Sequence, residues 1–148
     1  MSNSLTFSLS DYEADPSGSK AYVSLDLAAE SGYFRGASAC VLAEHDLSVF
    51  LDDAELLATA QRRDANLVGG WGTTEDVRVE MSPANRRGHI AVRVVLVEVP
   101  SSERPDRLEA HFETEPAPLL RFVEEIRSAV MARRVTTIAL YVLGGPAV

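Results

Sequence analysis

Leu5, Phe7 and Leu9 alternate with Thr6, Ser8 and Ser10, the two-residue period of a strand with one buried face. Asp15-Pro16-Ser17-Gly18 then reads as a turn, with Pro at its second position and Gly at its end. Ala21, Val23, Leu25 and Leu27 alternate with Tyr22, Ser24 and Asp26 and predict a second strand. Ser31-Gly32 fits a two-residue hairpin loop. That loop sets Leu27 opposite Gly36, Leu25 opposite Ser38 and Val23 opposite Cys40. The third strand, Gly36-Ala37-Ser38-Ala39-Cys40, is a run of small side chains. Small residues in a strand mark the close approach of another element, here expected to be a helix. The functional alternative is the floor of a groove.

Asp46 is expected to cap a helix. Leu47, Phe50, Leu51, Ala54, Leu57 and Ala58 follow at helical spacing as one apolar stripe. Asp52, Asp53 and Glu55 fall on or beside the opposite face, and Arg62 and Arg63 suit the negative end of the helix dipole. Asn66 to Thr74 reads as a loop containing Gly69-Gly70-Trp71-Gly72. Val77, Val79 and Met81 alternate with Arg78, Glu80 and Ser82, a fourth strand. Ile90 to Val99 is almost continuously apolar and predicts a central strand covered on much of both faces. After the polar loop Pro100 to Arg107, Leu108, Ala110 and Phe112 alternate with Glu109, His111 and Glu113. Pro116 and Pro118 fit only the first turn of a helix, which continues through Leu119, Phe122, Val123, Ile126 and Val130. Val135 to Leu143 is β-branched and aromatic, a last strand or a strand-like tail.

The order is β-β-β-α-β-β-β-α, with the C-terminal segment open between a last strand and a strand-like tail. The loops between close strand pairs are too short for a parallel crossover. The pattern predicts an α+β fold: a single antiparallel sheet of about six strands with two helices on one face, in one domain over residues 1–148.

Composition narrows the function classes. The formal net charge of −8 repels nucleic acid and anionic membranes and favours a basic partner. No apolar run approaches the ~20 residues that span a bilayer. The first residues, Met1-Ser2-Asn3-Ser4-Leu5, lack the basic and apolar regions of a secretory signal. With Cys40 the only cysteine, no internal disulfide forms, and a cytoplasmic setting is expected.

Arg86-Arg87-Gly88-His89 is the first chemical candidate. Val77, Val79 and Met81 must share a face with Ile90, Val92, Val94 and Leu96, so the intervening loop must hold an even number of residues. A four-residue loop, Asn85 to Gly88, meets that condition and puts Gly88 where positive φ is easiest for glycine. The turn reading is favoured over phosphate binding, because no helix N-terminus or glycine-rich cradle follows. Glu109, His111 and Glu113 share one side of a strand, about 7 Å apart, and read as a solvated polar face rather than a metal site. Cys40 has no local base or cation to activate it and reads as a buried structural thiol. No catalytic motif is present, so no catalytic, cofactor or metal residue is nominated.

Several segments together resemble small bacterial immunity proteins of the WapI type and related uncharacterised domains. They are Tyr33-Phe34-x-Gly36 opening a strand and Asp46-Leu47-x-x-Phe50 beginning a helix. Gly69-Gly70-Trp71-Gly72, Gly88-His89-Ile90-x-Val92-x-Val94 and a final helix from Leu119 to Val130 complete them. Glu113-Thr114-Glu115 and its two prolines depart from the family pattern, and Arg134 to Val148 lies outside the match. The resemblance implies a non-enzymatic cytoplasmic protein that binds and neutralises a secreted toxin. The acidic surface suits a basic toxin, with Asp52, Asp53, Glu55 and Trp71 as the nominated contacts. The alternative is a small-ligand binder or enzyme with a pocket between helix and sheet near Cys40. A homodimer pairing edge strands is compatible with either.

Overall fold

The computed structural model describes residues 2–14, 21–32, 34–59, 63–70, 76–84, 88–97 and 107–144. The first three strands are β1 (Ser2–Ala14), β2 (Ala21–Gly32) and β3 (Phe34–Ala43), followed by helix α1 (Glu44–Ala58). Then come β4 (Ala65–Gly69), β5 (Val77–Pro83), β6 (Ile90–Val97) and β7 (Arg107–Thr114). Helix α2 (Pro116–Ala132), β8 (Thr136–Leu140) and the two-residue β9 (Leu143–Gly144) complete the elements among the described residues.

The fold is α+β and its strands pair antiparallel, but they form two sheets, not one. The first sheet has the order β3-β2-β1-β8 and the second β4-β5-β6-β7-β9. Two further strands extend these sheets beyond the expected six. Ala65–Gly69 is a strand with Ala65, Leu67 and Gly69 buried, where the Asn66–Thr74 stretch read as a loop; five residues with a glycine at the end gave too few apolar positions to see. Thr136–Leu140 is a full strand and pairs with β1 in the first sheet, so the chain returns to its beginning.

The β1–β2 ladder runs from Ser2↔Gly32 to Ala14↔Ala21, with a bulge between Ser10 and Glu13. Within that bulge Asp11 takes a positive φ of 47°, the extra residue bending the strand end. In the next hairpin Ser31 pairs with Phe34, so its loop is Gly32-Tyr33, one residue later than Ser31-Gly32. Gly32 has a φ of 64°, which fixes it as the first central loop position. The register is therefore Leu27↔Ser38, Leu25↔Cys40 and Val23↔Leu42, two residues from the expected pairing. A shift of two keeps every side chain on its expected face.

The small residues of β3 have a clear partner. Ser38 and Cys40 are buried on the inner face, and Gly36 shares that face. A Cβ on Gly36 would sit 2.9 Å from Leu108 Cδ2 of β7. Ser38 Oγ donates 2.8 Å to the Val97 carbonyl at the end of β6. Beyond Cys40, Val41 bridges to Gly70, just past β4. From Gly36 to Val41, β3 thus steps across the ends of β7, β6 and β4. The element that approaches is the second sheet, not a helix.

The buried faces of both sheets and the stripes of both helices form one core. Helix α1 touches strands of both sheets, and α2 lies against α1 and β8. Phe122 of α2 meets Phe7 of β1 edge-on, ring centres 4.8 Å apart. Helix α1 begins at Glu44, with Ala43 in the cap position and no side-chain cap. Asp46, expected as the cap, lies in the first turn beside Glu44, where carboxylates suit the dipole. The helix ends at Ala58, before the arginines expected at its last turn; Arg63 folds back onto Asp53. Helix α2 ends with Arg133 at φ 52°, and Arg133 and Arg134 donate their N–H groups to Val130 and Ala129. This is a Schellman stop with arginine where glycine is usual.

Candidate functional site: the face between the two helices

The three nominated acids are drawn into the fold's own contacts. Arg127 of α2 reaches across to α1, with Nη2 2.6 Å from Asp52 Oδ1 and Nη1 2.7 Å from Glu55 Oε2. Burial disfavours the charged form of Arg127, but the Glu55 and Asp52 hydrogen bonds outweigh it and raise its pKa. Asp53 pairs with Arg63 at 3.0 Å. At the far end of the pair, Glu44 of α1 holds Arg133 at 2.9 Å. Trp71 lies outside the described residues, as do Arg86 and Arg87.

Between these two clamps lies a groove of about 390 Å³. Leu47 and Leu51 of α1 and Val130 and Met131 of α2 supply its apolar part. Glu44, Ser48, Arg127 and Arg133 rim it. Met131 is 89% exposed, the most exposed large apolar side chain among the described residues. On the outer side of α1, Val49 is also exposed. The helix stripes set which residues line it. Leu47 and Leu51 are buried members of the α1 stripe, and the buried stripe of α2 runs through Ile126 and Ala129, so Val130 and Met131 beside it are left to line the groove. Arg127 and Met131 were missed in the sequence. Both stand next to stripe positions, Ile126 and Val130, and a methionine off its helix's stripe was the available signal.

The other candidates are structural. Cys40 is buried, and its thiol pKa is pushed up to about 12 by burial, with smaller contributions from Asp76 and Asp26. The space beside it is occupied: a Cβ on Gly69 would lie 2.5 Å from Cys40 Sγ and 2.7 Å from Leu42 Cδ2. The groove expected near Cys40 is filled there by the second sheet. The β5–β6 hairpin matches its derivation. Pro83 pairs with Ile90, Ala84 N–H donates 2.8 Å to the His89 carbonyl, and Gly88 has a φ of 84°.

Glu109, His111 and Glu113 line the outer face of the second sheet, and among the described residues no group of His, Cys, Asp and Glu is arranged to hold a metal. Arg93 is the hub of that face, 2.9 Å from Glu80 and 2.7 Å from Glu109. Arg78, Arg93 and Arg107 surround Val95 and Val97 in a cleft of about 380 Å³. Their stems explain why the β6 run could stay apolar on its outer side.

No protein-family model, no curated protein and no solved structure matches the chain. The structure defines a class, an α+β fold of two antiparallel sheets with two helices. Among the described residues no helix is long and apolar enough to cross a membrane.

Proposed function

We propose that the protein is a binding module that neutralises a basic protein toxin, docking it on the α1–α2 face. The observation that supports this reading is the apolar groove with Met131 standing open at its rim. An exposed apolar side chain beside a concave apolar strip, bordered by charged pairs, has the anatomy of an interface core and rim. The net charge of −8 adds long-range attraction for a basic partner. The WapI-type resemblance supplies the kind of partner.

The nominated acids take a different part in this reading. Asp52 and Glu55 are held by Arg127, so they shape the groove's rim rather than offer free charge. Neutralisation then follows from covering the toxin's basic surface, and requires no bond making by this chain.

The test is calorimetric titration against the toxin encoded by a neighbouring gene, with growth protection in parallel. Met131→Lys is expected to weaken binding by about tenfold or more and to reduce protection, because it places a cation in the apolar patch facing a cationic partner. Its exposure means that folding is unaffected. If the wild type binds and Met131→Lys binds equally well, the face is wrong. If the wild type neither binds nor protects, the function is wrong.

A further inference from the structure

The first sheet ends on β8, and among the described residues no strand pairs with the far edge of β8. Alternate N–H and C=O groups of an edge strand point away from its single neighbour and form a ready template for another strand. Proteins usually blunt such an edge with a lysine, a proline or a bulge. Thr136-Thr137-Ile138-Ala139-Leu140 has none of these. It is also flanked by open apolar groups: Val135 is 76% exposed and Tyr141 55%. An uncharged β-branched edge with apolar flanks is an edge built to be paired.

A groove of about 420 Å³ runs along this edge between β8 and α2. Besides Thr136, Thr137 and Ile138 it is lined by Arg121, Arg134, Glu124 and Glu125. Two cations and two anions balance locally in a chain whose total is −8. A basic toxin finds no net attraction here. A second copy meets no net repulsion here either, because its own β8 groove carries the same balanced charges. Antiparallel pairing of a strand with its own copy closes on that symmetry and uses up both β8 edges, leaving β3 at each end of the joined sheet.

We propose that the open edge of β8, with the charged α2 residues beside it, is a self-association surface on which a second copy pairs its own β8 antiparallel. The two four-stranded sheets become one continuous sheet of twice that width. The surface is separate from the α1–α2 groove, so the dimer presents two such grooves, and its formation does not depend on the toxin reading.

Sedimentation velocity over a concentration series tests this on the full chain. The expected result is a reversible species of twice the 16.1 kDa chain mass. Ala139→Lys, on an exposed outward position, puts like charges near the axis and is expected to raise the dimer dissociation constant about tenfold. Val68→Lys, on β4 at the edge of the other sheet, is the control and leaves it unchanged. Amide exchange of the unmodified chain gives a second readout: protection across 136–140 rises with concentration. A chain that is monomeric throughout overturns the proposal. So does a dimer indifferent to Ala139→Lys, or one without the added protection.

Discussion

Across the outer face of the first sheet runs the row Thr137, Ser8, Asp26, Ala39, and beside it Ala139, Thr6, Ala28, Ala37. Across that of the second runs Glu80, Arg93, His111. Both sheets bury an alternating inner face in the same core, so burial fixes their registers equally well. Their outer faces divide the remaining work. Small hydroxyls and alanines reach no further than an adjacent strand, as in the 2.8 Å contact between Ser8 and Thr137. Long arginines span three strands and tie β5, β6 and β7 together through Glu80 and Glu109. One sheet therefore has a flat, nearly neutral outside and the other a charged lattice. The first should respond little to pH and salt, the second measurably.

The largest test falls where the sheets cross. A Cβ at Gly69 meets packed core atoms, Cys40 Sγ and Leu42 Cδ2, whereas one at Gly36 meets the half-buried side chain of Leu108. Gly69→Ala is expected to cost about 1–3 kcal/mol by overpacking, and Gly36→Ala less. Denaturant unfolding measures both. Combining Gly69→Ala with Cys40→Ala removes the clashing sulfur, so the pair should cost less than the sum of its parts. Additive costs would mean that the sheets do not meet as described.

Cys40 gives the next effect, on the first sheet's inner side. Its folded pKa, near 12, lies above that of an unfolded thiol, about 8.5. The unfolded chain then loses its proton first as pH rises. Stability from this group is complete below about pH 8.5 and declines above it by about 1.4 kcal/mol per unit, until the folded thiol ionises. The alkaline limb of unfolding free energy should be flatter in Cys40→Ala than in the parent. Equal slopes would place the thiol in contact with water.

The alternation of β1, β2, β5 and β7, both helix stripes and the four-residue hairpin before Ile90 were legible, because each is a local period or a parity condition. The division into two sheets was not. It depends on β8 returning to β1 across more than a hundred residues, and on β3 crossing a second sheet; neither leaves a local period. The small residues of β3 did announce a close neighbour, and only its type was misread. The acids of α1 were legible as an exposed face. Their partner Arg127 lies 72 residues from Glu55, and no spacing rule connects them.

A smaller effect concerns the helix pair that sits against both sheets. Arg127→Ala releases Asp52 and Glu55 together. Because the guanidinium is about a third exposed, the two pairs are worth about 1 kcal/mol in all after screening. Thermal unfolding should show the loss at low salt and less of it at high salt. An undiminished loss at high salt would mean that the arginine stem's packing, not its charge, joins the helices.

The finest discrimination between the sheets is their behaviour in acid. The hydrogen bond from Arg93 lowers the pKa of Glu80, outweighing the opposing effect of burial, and the same arginine does so for Glu109. A carboxylate whose folded pKa is depressed stabilises the fold above its unfolded value, near 4.3. That contribution fades as pH falls from there through the depressed folded value. The second sheet's lattice should therefore add steepness to the acid limb of stability below about pH 4.3. Arg93→Gln keeps the stem over Val95 but removes the charge, and is expected to flatten that limb and weaken its salt dependence. Ser8→Ala, its counterpart on the first sheet, should leave both unchanged. The comparison fails if the two variants alter the acid limb alike, because the carboxylates responsible would then lie elsewhere than on the arginine-tied face.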